Sequence, residues 1–118
     1  MLPPLPEGPW WDWEVRHYDG SRLTLVADHD LSYHHGLEVV FTDTLYVRCP
    51  MHFMDPEFRA PTPEERAEVT RLVGAEPPVL VAFEADGGGT VSAVCLIAAE
   101  DWAIRQGRFP RGTSADVR

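Results

Sequence analysis

VLVAFEADGGGTVSAVCLIA, residues 79–98, is apolar at nearly every position on both sides of a glycine triplet. The pattern predicts one strand over residues 79–85, a turn at Asp86–Gly89 and a second strand over residues 90–98. Because neither strand alternates polar and apolar residues, we expect both to be central in a sheet with both faces covered. Residues 98–107 fit either a longer strand or one or two helical turns.

A helix is predicted just before these strands, where Thr62-Pro63-Glu64-Glu65 has the pattern of a capping box. The Thr62 side chain can accept from the backbone N–H of Glu65, and the Glu65 carboxylate can reach back to Thr62. Proline suits the first helical position, and Gly74 is typical of the residue that follows a helix. The sequence therefore predicts a helix over residues 63–73.

The N-terminal half alternates apolar and polar residues in short runs. Residues 13–27 predict a hairpin that turns at Asp19-Gly20, because glycine and aspartate suit the positive φ angles of a two-residue turn. Strands are also expected over residues 37–41 and 44–49. The residues between them form either a tight turn or a bend in one continuous strand.

Residues 50–61 are predicted to form a loop, because Pro50, Pro56 and Pro61 interrupt them. With that loop, the chain has about six strands and one main helix. The expected class is α+β, a mostly antiparallel sheet of about six strands with helix 63–73 packed on one face.

The chain has 118 residues, which suits one domain. Residues 1–9 contain four prolines and predict an extended arm. Residues 10–107 are expected to form the single α+β domain. Residues 108–118 are expected to be a basic and flexible C-terminal tail.

The charge is strongly acidic and unevenly distributed. The formal net charge is −9, with −12 on residues 1–102 and +3 on residues 103–118. A nucleic-acid partner is therefore not expected, because phosphates would be repelled. Every basic residue is arginine, so lysine-dependent chemistry, such as Schiff-base catalysis or a phosphate loop, is excluded.

The expected location is cytoplasmic, with no membrane partner. The first residues lack a basic segment followed by an apolar one, and no apolar run approaches the ~20 residues that span a bilayer. Cys49 and Cys95 are then expected to be free thiols.

A metal site is one hypothesis, with His34, Cys49 and His52 as the candidate ligands. Cys49 and His52 have the spacing C-x-x-H, and three histidines fall between residues 29 and 35. Imidazole and thiolate are the ligands that zinc prefers, so zinc is the cofactor considered. The alternative is that these histidines are solvated or hydrogen-bonded side chains without a metal.

A second candidate site is the aromatic cluster Trp10, Trp11 and Trp13. These rings either close one end of the core or form an exposed anchor for a partner protein.

The function expected from these patterns is a small, acidic, non-enzymatic protein-binding domain, such as an inhibitor or immunity-type partner of a basic protein. No catalytic residue is assigned. The alternative is a small metal-assisted or thiol-dependent enzyme that uses Cys49, His52 and the His29–His35 loop, with Cys49 activated by a histidine. Self-association into a homodimer, through the basic tail or an edge strand, is a further expectation.

Overall fold

The computed structural model describes residues 5–110, and its six strands form a closed barrel. Around the barrel the strands follow the order β1-β2-β3-β6-β5-β4, and every neighbouring pair is antiparallel. The elements in chain order are β1 (Asp12–Tyr18), β2 (Leu23–Asp28), β3 (His34–Arg48), β4 (His52–Arg59), α1 (Pro63–Val73), β5 (Val79–Asp86) and β6 (Ala93–Pro110).

The predicted α+β class, with helix 63–73 packed on one face of a sheet, is wrong. Strands make up 58% of residues 5–110 and close into a barrel, with one short helix among these residues. The expected number of strands and their antiparallel pairing are as observed. Closure depends on β4, which pairs with β5 on one side and with β1 on the other.

The prediction of a loop over residues 50–61 is also wrong, because β4 occupies most of that segment. Pro56 is tolerated because the β4–β5 register shifts between Met54 and Glu57, so the proline lies in a bulge. Asp55 has a φ of 52° and donates its backbone N–H to the carbonyl of Trp11 at 2.9 Å. The irregular backbone thus still binds β4 to the segment before β1.

The barrel interior is the main core of the protein, and aromatic rings fill one part of it. Trp13 lies 5.9 Å from Phe53 and 5.7 Å from Phe58, measured between ring centroids, and Phe83 contacts both phenylalanines. Interior-facing side chains of this kind fill a small barrel completely, so the barrel is a packed core rather than a channel.

The expectation that residues 79–98 are covered on both faces holds for residues 79–83 and 95–98 and not for the exposed Val94; the second strand begins at Ala93 rather than at residue 90. In β5, Val81 and Phe83 point into the interior cluster. Leu80 and Ala82 belong instead to a second buried cluster outside the barrel, together with Val69 of α1. Val69 is the one fully buried residue of the helix, so α1 covers a small patch of the outer wall.

Two long strands, β3 and β6, contain the segments for which the sequence left two structures open. β3 is one bent strand, with Asp43 at a φ of 53° and a register shift between Thr44 and Tyr46. β6 runs to Pro110, so residues 98–107 continue the strand and residues 108–110 belong to the barrel rather than to a tail. The rest of the predicted tail, and residues 1–4 of the predicted arm, lie outside the described residues.

The predicted helix and its capping box are confirmed. The Thr62 hydroxyl accepts from the Glu65 N–H at 3.0 Å, and the Glu65 carboxylate accepts from the Thr62 N–H at 2.9 Å. Arg59 also donates two hydrogen bonds of 2.8 Å to Glu65, which ties the helix start to the end of β4. No helix of the described residues has the length and apolarity needed to cross a bilayer.

Replacing Glu65 by glutamine is expected to weaken the fold more at pH 6 than at pH 3. The Arg59 guanidinium, helped by the Thr62 N–H, lowers the pKa of Glu65 to about 2. A lowered pKa means that the ionised carboxylate stabilises the folded state above a pH of about 4.3, and that this stabilisation is lost as the pH falls toward 2. We expect Glu65→Gln to cost about 1 kcal/mol at pH 6.

Urea unfolding at pH 6 and at pH 3 measures this difference. Glu64→Gln is the matched control, because Glu64 is an exposed acid in the same first turn of the helix. The proposed linkage is wrong if Glu65→Gln and the control lose the same free energy of unfolding at both pH values.

Candidate functional site

The three tryptophans proposed as a binding cluster lie in different environments. Trp13 is fully buried in the core and donates its indole N–H to the carbonyl of Trp10 at 2.8 Å. Trp10 is half-buried against the core and donates its indole N–H to the carbonyl of Pro6. Trp11 is 46% exposed, so it is the member of the cluster whose ring is most available to a partner.

The candidate metal ligands are not brought together. His52 Nε2 lies 2.6 Å from Asp12 Oδ1, whereas His34 Nε2 lies 3.6 Å from Asp28 Oδ2. Cys49 packs against the barrel core. Among residues 5–110, no group of three or more histidine, cysteine or acidic side chains is arranged to hold a metal ion.

Two neighbouring carboxylates, Asp12 and Asp28, are the contact partners of these histidines. Asp12 and Asp28 are direct partners in the β1–β2 register, and Asp28 is buried. His29 Nδ1 lies 2.7 Å from Asp28 Oδ1. Most of the histidines singled out in the sequence are therefore hydrogen-bonded to carboxylates, which is the alternative to a metal site.

A second polar cluster is buried between β3 and β6. One oxygen of Glu38 lies 2.8 Å from His35 Nε2, and the other lies 2.9 Å from an Arg105 guanidinium nitrogen. His35 stacks on Phe109 at 5.0 Å, and Arg105 lies over the same ring at 5.3 Å. Since Glu38 is 2% exposed, its charge is stabilised by these two partners rather than by water.

The Cys49 thiol is poorly suited to nucleophilic chemistry. Burial, with a smaller contribution from Cys95, raises its pKa to about 12. Burial also raises the pKa of Cys95, to about 11. Because the thiolate is the reactive form, both cysteines are almost entirely protonated at neutral pH.

We expect Cys49 to react with iodoacetamide at pH 8 at least about 100-fold more slowly in the folded protein than in urea. The raised pKa alone lowers the thiolate population about 1000-fold relative to that of a thiol with the ordinary pKa. Mass spectrometry of a Cys95→Ser variant follows Cys49 by itself. Equal rates in the folded and the unfolded protein would show that the thiol is accessible and ionised.

Part of the described surface forms an apolar depression, here called the open groove. Its volume is about 450 Å³. Four of its apolar side chains are exposed, namely Tyr18, Leu45, Val47 and Met51, whereas Leu23 is buried. It is lined by Val15 and Tyr18 of β1, Leu23 of β2, residues 44–47 of β3, and Cys49 and Met51 of the connection to β4.

The open groove lies where strand pairing stops. The β2–β3 register ends at the pair Leu23 and Phe41, whereas the β3–β6 register continues to Arg48. Among the described residues, no strand therefore pairs with residues 45–48 of β3 on the side away from β6. Two backbone bonds bound this gap: Thr44 N–H donates to Ser21 at 2.9 Å, and Val15 N–H donates to Met51 at 2.8 Å.

One end of the open groove is acidic. Asp19 follows Tyr18 and accepts from the backbone N–H groups of Arg22 and Ser21, which lower its pKa to about 2. Asp43 precedes Thr44 and accepts from the Ser21 hydroxyl at 3.1 Å. Two carboxylates thus converge on the β1–β2 turn, beside the apolar lining.

The open groove was not predicted from the sequence, although Cys49, one of its lining residues, was a candidate site residue. The missing information was three-dimensional, because the lining comes from four segments between residues 15 and 51. One signal was present: Leu45, Tyr46 and Val47 form an apolar run in a strand that begins beside a bend.

Comparison with known proteins adds no family assignment. No protein-family model, curated protein or solved structure matches this chain.

Proposed function

We propose that this protein is a small, acidic, non-enzymatic domain that binds another protein through the open groove. The observation that carries the proposal is the groove itself, a concave surface bordered by exposed apolar side chains and by residues 45–48 of β3, which pair with β6 on one side only. Soluble monomers rarely expose contiguous apolar surface unless it contacts a partner. Tyr18, Val47 and Met51 are among the exposed side chains of this border.

The charge of the chain supports a basic partner. The first 102 residues carry a formal charge of −12, and such a field accelerates encounter with cationic proteins. This is the behaviour expected of an inhibitor or immunity-type protein that binds a basic target. An exposed Trp11 would add an aromatic contact outside the groove, and that role remains a prediction.

The enzyme alternative has no specific observation in its favour among residues 5–110. Cys49 has a raised pKa, His52 is bound to Asp12, and His34 lies beside Asp28. A homodimer remains a prediction that light scattering can test.

Selection from a phage library of random twelve-residue peptides tests the proposal. Peptides enriched on the wild-type protein should bind a Leu45→Lys variant at least tenfold more weakly, because the lysine places a charge at the groove. Val94→Lys is the matched control, since Val94 is 42% exposed and Leu45 is 41% exposed, and Val94 lies on β6 outside the groove. Its affinity should stay within twofold of wild type.

Two results would overturn the proposal. One is the absence of any enriched peptide. The other is an enriched set that binds Leu45→Lys and Val94→Lys equally, because such peptides would recognise a different surface. Thermal unfolding of both variants shows that a loss of binding is not a loss of folding.

A further inference from the structure

The proposed function does not specify how a partner binds in the groove. The strand pairing around the groove points to one binding mode. We infer that the partner binds as an added strand: an extended peptide pairs with the backbone of residues 45–48, points alternate apolar side chains into the open groove, and places a cationic residue beside Asp19 and Asp43. This inference rests on the proposed function and specifies the partner's chemistry.

The free edge of β3 offers backbone groups that an added peptide strand can pair with. Residues 45–48 pair with β6 on one side, and the described strands leave the other side without a ladder. An unpaired strand edge presents alternating N–H and C=O groups that are satisfied by water or by another extended chain. An extended peptide can satisfy them in register, which is the basis of recognition by strand addition.

Residues 45–47 of this edge carry no charge and no proline; Arg48 ends the edge, and a register shift between Thr44 and Tyr46 precedes it. Proteins commonly place lysine, proline or inward-pointing charge on such edges to prevent pairing. Residues 45–47 are Leu-Tyr-Val, and Leu45 and Val47 are both exposed. Apolar side chains at alternate positions of an added strand would cover this surface.

The acidic residues at one end of the groove determine which end of the peptide carries the cationic residue. Asp43 lies immediately before the free edge, and its carboxylate contacts Ser21, whose neighbours Asp19 and Arg22 belong to the same turn. Two carboxylates against one guanidinium leave a local negative excess. An arginine at the end of the peptide nearest this turn would form charge-assisted contacts with them.

A small apolar molecule or a second copy of the chain accounts for fewer features of the groove than a cationic peptide does. A small apolar molecule would fill the groove but would leave the edge of residues 45–48 unpaired. A second copy of the chain could pair along the same edge, but two acidic bodies repel each other, whereas a cationic peptide is attracted.

The test uses capped synthetic peptides and the full-length protein. The probe is an equimolar mixture in which an arginine is followed by threonine alternating with valine, isoleucine, leucine or phenylalanine. Binding is followed by the backbone amide signals of residues 45–48 in nuclear magnetic resonance spectra and by their hydrogen exchange. We expect these signals to shift and their exchange to slow at least tenfold.

Two matched peptide sets, methylated at alternate backbone nitrogens, distinguish strand addition from side-chain contact. Methylation of one alternate set should abolish binding, because those N–H groups face β3. Methylation of the other set should change affinity less than threefold. Equal effects of both sets would overturn the inference.

Protein variants test the two remaining parts of the inference. Leu45→Lys should weaken binding of the mixture at least tenfold, and Val94→Lys should change it less than twofold. Asp43→Asn should weaken arginine-led peptides about threefold to tenfold and leave glutamine-led peptides unchanged. Asparagine is chosen because it tolerates the positive φ of residue 43.

The outcomes separate this inference from the proposed function. If library peptides bind at the groove but show no dependence on backbone methylation, the binding function stands and strand addition is wrong. Failure of the arginine-led mixture beside groove-dependent library peptides also overturns the inference. Dimerisation that is lost in Leu45→Lys would assign the edge to a second copy.

Discussion

Replacing Trp13 by alanine is expected to lower the free energy of unfolding by about 3–5 kcal/mol. Trp13 is fully buried, and its ring stacks on Phe53 and contacts Phe58 inside the barrel. Truncation would remove these contacts, leave a cavity among rigid rings and remove the indole donor to Trp10. Small domains have a total stability of roughly 5–15 kcal/mol, so a large part of the stability is lost.

Trp11→Ala is the matched control from the same motif. Its ring is 46% exposed, and we expect a loss of less than about 0.5 kcal/mol. Urea unfolding followed by circular dichroism measures both variants, and Trp13→Phe provides a milder change if the alanine variant does not fold. Equal costs for Trp11→Ala and Trp13→Ala would contradict the assignment of Trp13 to the core.

Replacing Glu38 by alanine is expected to cost about 1–3 kcal/mol, because it leaves the buried His35 ring without its carboxylate partner. Glu38 is the common partner of His35 and Arg105. Its removal leaves His35 buried with neither ring nitrogen bonded within the described residues, since Nδ1 already has no partner there. An unsatisfied buried polar group carries its own desolvation penalty.

Glu100→Ala is the control for this prediction, because Glu100 is an exposed acid on the same strand as Arg105. It should change stability by less than about 0.5 kcal/mol. A Glu38→Ala variant as stable as Glu100→Ala would show that water replaces the carboxylate without cost. Differential scanning calorimetry of both variants at one pH gives the comparison.

Local structure was predictable where short-range chemistry determines it. The capping box at Thr62 and Glu65 fixes the helix, and the first hairpin forms as expected. Its predicted two-residue turn is wrong, because residues 19–22 connect the strands and only Gly20 has a positive φ. The apolar strands were also recognised, because residues 79–83 and 95–98 are buried on both faces. These features depend on contacts between residues close in sequence, or on hydrophobicity alone.

Barrel closure was not predictable from the same patterns. It requires β4, whose proline and left-handed aspartate resemble a loop, and these residues become a strand only because β1 and β5 pair with both edges. The candidate site has the same limitation. Cys49 was recognised as unusual, but its role as groove lining depends on where the β2–β3 ladder ends.

The seam between β1 and β4 has a consequence for how the molecule folds and opens. Three residue pairs, from Asp12–Met54 to Glu14–His52, join strands that are about forty residues apart in sequence. The β3–β6 pairing joins the same two three-stranded halves of the barrel through twelve residue pairs, so we expect the three-pair β1–β4 seam to form last because it is the weaker of the two. We expect the native barrel to open transiently at this short ladder, beside the backbone hydrogen bond from Val15 to Met51.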